Sequence, residues 1–174
     1  MLTGFEQGRL LALFSSLLKP ARILEVGTFT GYGTLCMAEG LAEGGKIFTL
    51  ENSEENIWLA RKYFAISPFL HQIEIRMGRA EDVIPNLKEH WDLVYLDADK
   101  INNEKYLDMV WPSVNPGGMV LIDNVFARGA VWKDEKKPFE KAVAELNLKL
   151  PRKLPGAGVT MLPIRDGLTV IRKI

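Results

Sequence analysis

The chain has 174 residues, with Lys+Arg and Asp+Glu balanced at 22 each, so no global field draws it to nucleic acid or to an anionic membrane. Its 47% hydrophobic and 25% charged content suits a globular protein with one core. The lone Cys36 excludes an internal disulfide, no apolar run reaches the about 20 residues of a membrane helix, and Glu6 and Arg9 interrupt any signal-like start, so a cytoplasmic location and no membrane partner are expected.

Residues 5–18 set Phe5, Leu10, Leu11, Phe14, Leu17 and Leu18 at helical spacing, and Pro20 stops the segment. ARILEVG reads as a strand ending in glycine, and 31–45 as a helix closed by Gly44-Gly45. KIFTLEN is a second strand that closes on Glu51, and 53–67 a helix with Ser53 as N-cap. HQIEIRMG is a third strand, followed by a short helix in 80–90 that contains Pro85. WDLVYLD, apolar on both faces, reads as a buried parallel strand, then comes a helix in 102–114 and a fifth strand, GGMVLIDNV. A charged stretch carries a helix around 138–148, and two last strands join through Asp166-Gly167, a hairpin signal. Five βα units and a terminal hairpin predict an α/β fold: a doubly wound, Rossmann-like sheet, mostly parallel with an antiparallel C-terminal strand, as one domain over 1–174.

Gly27, Gly31 and Gly33 let the turn after the first strand bend tightly against a ligand at a helix N-terminus. Glu51 follows Gly31 by about 20 residues, where an acid can accept both hydroxyls of a ribose. The motif E-V-G-x-x-x-G-Y-G, from Glu25 through Gly27, Gly31, Tyr32 and Gly33, is similar to that of S-adenosylmethionine-dependent class I methyltransferases. The resemblance implies that the helix N-terminus faces the cofactor carboxylate, with Glu25 near its ammonium group; a hydroxyl contact to that carboxylate comes from Thr34 or is absent. Ala80 and Glu81, after the third strand, are candidate adenine contacts; the alternative for Glu81 is a plain first-turn helix acid.

The fourth strand ends in LDADK and the fifth in LIDNV. If those strands are neighbours, Asp97, Asp123 and Asn124 emerge side by side as a hard-oxygen site suited to Mg²⁺ and, less selectively, Mn²⁺ or Ca²⁺. His71 and His90 are isolated, and no Cys/His set has zinc spacing. Lys100 lies close enough to face the same cavity, where a nearby cation would favour its neutral, basic form.

With EVGTFTGYGT, LDADK, GGMVLIDNV and the terminal LPIRDGLTVIRK together, nearly the whole chain resembles the cation-dependent O-methyltransferases, among them the catechol and caffeoyl-coenzyme A O-methyltransferases. The resemblance implies Asp97, Asp123 and Asn124 as metal ligands, Lys100 as catalytic base, Glu51 as the ribose acid, and Asp97, Asp99 and Tyr106 along the cofactor site. Met1 and Thr3 match a Met-x-Thr segment near cofactor and metal. The implied reaction moves a methyl group from S-adenosylmethionine to a hydroxyl of a vicinal dihydroxy aromatic small molecule chelated by the cation. The family also has helices before this segment that contribute to substrate and homodimer contacts. Gly33 replaces a frequent serine, and Asn103 a frequent tyrosine. Phe126 and Trp132, in the loop after the fifth strand, are an aromatic pair that could flank a flat ring. Two alternatives stay open. One is a tRNA hydroxyuridine methyltransferase of the same fold, for which Arg128, Lys133, Lys136, Lys137, Lys141, Arg152 and Lys153 speak and the interleaved Asp134, Glu135 and Glu140 do not. The other is a non-catalytic nucleotide-binding module with a structural cation.

Overall fold

The computed structural model describes residues 3–174, so the expectation for Met1 lies outside the described residues. Helix α1 (Phe5–Leu18) precedes β1 (Arg22–Val26), α2 (Tyr32–Ala38), β2 (Lys46–Glu51), α3 (Glu54–Ala65) and β3 (Ile73–Met77). The chain continues through α4 (Ala80–Val83), β4 (Trp91–Leu96), α5 (Asn103–Val110), β5 (Val114–Asp123), α6 (Pro138–Lys153), β6 (Ala157–Leu162) and β7 (Leu168–Lys173). The strands form one sheet in the order β3-β2-β1-β4-β5-β7-β6. β1 to β5 pair in parallel, and β7 pairs antiparallel with both β5 and β6, which turns β6 back to the common direction. The expected class I methyltransferase sheet is therefore present, its one reversed strand explained by the Asp166-Gly167 hairpin.

The apolar character of β1, β4 and β5 follows from their central position, with helices on both faces. Along β4, Leu93 and Tyr95 point to the face shared by Leu11, Cys36 and Met37 of α1 and α2. Val94 and Leu96 point to the face that holds Leu107 of α5 and Leu146 and Leu150 of α6. Each helix buries one stripe on the sheet; at about 25 cal/mol per Å² of apolar surface this contact is the main stabilising term.

Four helices end elsewhere than their sequence pattern suggests, α5 among them, which gives way after Val110 to a 3₁₀ turn at Pro112. α2 stops at Ala38 because α1 crosses its end: the Ser15 hydroxyl donates to the Met37 carbonyl at 2.6 Å, and a side chain at Gly40 would strike the Ser15 backbone. α4 gives way after Val83 to a 3₁₀ turn, Ile84–Asn86, at Pro85, which has no N–H to extend an α-helix. α6 instead runs past 148 to Lys153; Pro151 falls in its last turn, where it deprives only the Asn147 carbonyl of its backbone donor, and the fully buried Leu150 anchors that turn.

The chain leaves β1, moves outward to β2 and β3, and returns to β4 on the other side of β1. This reversal opens a crevice beyond the carboxyl ends of β1 and β4, the place where ligands bind in open α/β sheets. No described helix is long and apolar enough to cross a membrane.

Candidate active site

The parallel register brings the strand ends together. Val26 lies opposite Leu96, and Leu96 opposite Ile122, so Gly27, Asp97 and Asp123 leave the sheet side by side. Gly27 adopts a φ of 107°, and a Cβ there would lie 2.5 Å from the Asp97 carbonyl oxygen. Only glycine fits that approach.

A cavity of about 480 Å³ opens over these ends, lined by Gly27, Glu51, Ala80, Asp97, Asp99 and Tyr106 among others. Six of the sequence-predicted cofactor residues thus share one wall. Glu51 is oriented by backbone donors: Oε2 accepts from Phe29 N at 2.8 Å, and Oε1 from Asn52 N and Ser53 N at 3.0 Å each. Asp99 accepts from the Tyr106 hydroxyl at 2.6 Å and from the Asn102 amide. Burial, with the Asp99 carboxylate second, holds the Tyr106 phenol well above its ordinary pKa, so it remains a donor.

Thr3, Glu25, Tyr32 and Gly33 line a smaller pocket that shares Gly27 and Asp97 with the first. Glu25 is 1% exposed, and its Oε2 accepts from Thr34 and, at 2.5 Å, from Thr49. Burial outweighs both hydrogen bonds and pushes its pKa up from 4.5 to about 8. Gly33 is where a Cβ would come within 2.9 Å of Glu25 Oε1, so the glycine leaves that oxygen room.

Three expected contacts stand elsewhere. Thr34 is fully buried and spends its hydroxyl on Glu25, not on the cavity. Gly31 forms the left-handed turn before α2, φ 84°, packed on the Phe64 ring, and lines neither pocket. The Glu81 carboxylate pairs with Lys105 and Arg79, each at 2.8 Å, and does not line the cavity; its side chain follows the plain first-turn reading.

Asp97 and Asp123 converge on one hydroxyl. Tyr95 OH donates to Asp123 Oδ2 at 2.9 Å and lies 3.3 Å from Asp97 Oδ2, while Gln7 Nε2 donates to it at 2.9 Å. Burial, then the charges of Asp97 and Asp123, raises the Tyr95 pKa well above the ordinary value. Burial likewise raises the Asp97 pKa, with Lys100 opposing and Asp123 adding. Lys100 Nζ is 2.5 Å from Asp97 Oδ1, and Asp123 Oδ1 accepts from Asn124 N at 2.6 Å. No group of three or more His, Cys, Asp or Glu side chains suited to a metal occurs among the described residues. The donor set that does occur is the half-buried carboxylate of Asp97, the buried one of Asp123 and the amide of Asn124. Two carboxylates that share one hydroxyl, with a single ammonium paired to Asp97, fit a hard divalent cation completed by water.

Lys100 and Asn124 also line a second cavity, of about 550 Å³, with Ala127, Ala130, Lys133 and Phe139 among its other walls. The Asp97–Lys100 pair is thus a partition: Asp97 faces the first cavity and Lys100 the second. Phe126 and Trp132 pack on each other, centroids 5.1 Å apart, and line neither cavity; Phe139 is the aromatic wall instead.

Sequence reading missed Gln7, Thr49 and Tyr95. Thr49, Glu25 and Tyr95 each sit two residues before a strand-end site residue, Glu51, Gly27 and Asp97 respectively. The period of two puts them on the same face, one layer below. That spacing was the available signal.

The switch-point crevice, the glycine turn and the strand-end acid define a class I methyltransferase. The sequence model of the family described as O-methyltransferase matches residues 1–174, and the chain belongs to that family. It is an S-adenosylmethionine-dependent O-methyltransferase. It is 30% identical over 186 residues to the caffeoyl-CoA O-methyltransferase of Medicago sativa, spanning 100% of this chain and 75% of that protein. Against the catechol O-methyltransferase of Niastella koreensis the identity is 34% over 130 residues, 72% of this chain and 59% of that one. The crystal structure of an O-methyltransferase from Bacillus cereus in complex with SAH superposes with a TM-score of 0.92 at 28% identity, covering 99% of this chain and 82% of that one.

Proposed function

We propose that the chain methylates one hydroxyl of a vicinal dihydroxy aromatic small molecule, with Lys100 as the base and a divalent cation, Mg²⁺ foremost, held by Asp97, Asp123 and Asn124. The observation that carries this reading is the partition: one acid–lysine pair faces a cofactor-sized cavity on one side and a second cavity on the other. A methyl donor and an acceptor bound in the two cavities meet at that pair.

Each side chain has a task. Glu51, pre-oriented by three backbone amides, takes the ribose hydroxyls, and Asp99 and Tyr106 close the same wall. Glu25, with an oxygen toward the small pocket, pairs with the cofactor ammonium. When bound, the cation supplies Lewis acidity that lowers the pKa of a chelated diol. Lys100 takes the hydroxyl proton at Nζ, and the cavity walls hold the acceptor oxygen in line with the methyl carbon and sulfur, an arrangement worth several orders of magnitude in rate. The names of the relatives, caffeoyl-CoA and catechol O-methyltransferase, support a phenolic acceptor. Lys100, Arg128, Lys133 and Lys137 outnumber Glu140 and Asp166 in the lining of the second cavity, which favours a diol with an acidic substituent.

The test is methyl transfer from labelled S-adenosylmethionine to a catechol, its carboxylated analogue and its monohydroxy analogue, each with Mg²⁺ and with excess EDTA. Turnover of the two diols, dependent on the cation, is expected; equal rates on the monohydroxy compound, or full activity in EDTA, would refute the reading.

A further inference from the structure

Beneath the two acids lies a residue with no place in the transfer step. Tyr95 is 1% exposed, its ring packed with Leu11, Met37 and Leu121. A Phe would fill that space equally well, so the hydroxyl requires its own explanation. It sits between Asp123 Oδ2, at 2.9 Å, and Asp97 Oδ2, at 3.3 Å. A phenol has one proton, so the two carboxylates share it, Asp123 at the shorter distance. Gln7, 2% exposed on α1, donates to the hydroxyl oxygen at 2.9 Å, which directs the phenol proton toward the carboxylates. The strand register fixes the rest: Tyr95 precedes Asp97 by two residues on β4 and faces Leu121, which precedes Asp123 by two on β5.

We infer that Tyr95, oriented by Gln7, is a positioning residue that holds the Asp97 and Asp123 carboxylates at one spacing before a cation arrives. The inference rests on the cation reading above. Two carboxylates beyond adjacent strand ends repel each other and would swing apart; a neutral donor between them offsets that repulsion without filling the cation's place. Gln7 ties this arrangement to α1, so that helix helps to shape the site through Tyr95. Outer partners of this kind commonly set metal affinity by 10–100-fold.

The experiment uses the full chain, saturated with S-adenosylhomocysteine and without acceptor, titrated with Mn²⁺ and read by electron paramagnetic resonance. Tyr95→Phe should weaken Mn²⁺ binding by about 10-fold or more while leaving S-adenosylhomocysteine affinity as in the parent. Gln7→Met should weaken it less, and should have no further effect in the Tyr95→Phe background, because Gln7 acts through the hydroxyl. Circular dichroism checks that both variants fold; should Tyr95→Phe not fold, Gln7→Met alone decides. Parent-like Mn²⁺ affinity in the folded Tyr95→Phe protein, or in Gln7→Met when it alone decides, overturns the role of Tyr95 and leaves the cation reading standing. A parent protein that binds no Mn²⁺ overturns both.

Discussion

Replacing Glu25 by Gln should stabilise the protein at neutral and mildly alkaline pH while loosening its hold on the cofactor. The carboxyl is buried in the sheet, and its pKa rises from 4.5 to about 8 because burial outweighs the hydrogen bonds from Thr34 and Thr49. In the unfolded chain the same group loses its proton near 4.5, so between that pH and about 8 the folded state carries a proton that the unfolded state does not. The stabilising contribution is complete below the lower value and is lost as pH rises through the upper one. At about 1.4 kcal/mol per pH unit the loss amounts to up to about 5 kcal/mol. Glu25→Gln removes the titration but keeps the shape and an acceptor oxygen for the two threonines. Urea titrations of both proteins at several pH values between about 5 and 8 read the difference. Near-equal stability is expected at the acid end, with the variant gaining by about 3–5 kcal/mol at the alkaline end. Parallel profiles would mean that Glu25 is ionised in the folded protein throughout, and the argument from burial would fail.

The same group gives a second observable. If the cofactor ammonium pairs with Glu25, binding of S-adenosylhomocysteine at pH 7 should expel most of one proton, and calorimetry in buffers of different ionisation enthalpy will show it; a buffer-independent enthalpy counts against the pairing. Gly27→Ala places a Cβ 2.5 Å from the Asp97 carbonyl at a φ of 107°, and should cost about 2–4 kcal/mol of stability. An unchanged thermal midpoint would refute that. Lys100→Met should lower single-turnover methyl transfer by about 100-fold or more while S-adenosylhomocysteine affinity stays within about twofold, because the lysine faces the second cavity. Undiminished transfer would exclude it as the base.

What the sequence determined by itself is the alternation of strands and helices and the residue at the end of each strand. Buried parallel strands are short apolar runs bounded by glycine and charge, so ILEVG, FTLE, VYLD and VLID could be located, and Gly27, Glu51, Asp97 and Asp123 with them. Local rules also fixed the Ser53 cap and the Asp166-Gly167 hairpin. The strand order is a matter of tertiary packing. Only the sheet decided that β4 returns beside β1, that Asp97 meets Gly27 on one side and Asp123 on the other, and that one ion pair divides two cavities. The support beneath the site was hidden for the same reason. Thr49 reaches Glu25 across 24 residues, Tyr95 reaches Asp123 across 28, and Gln7 reaches Tyr95 across 88. In the sequence each is an ordinary polar residue inside an apolar pattern. Its partner comes within hydrogen-bond range only after the strands have paired and α1 has packed on them, because a buried polar group must find its partner wherever the fold brings one.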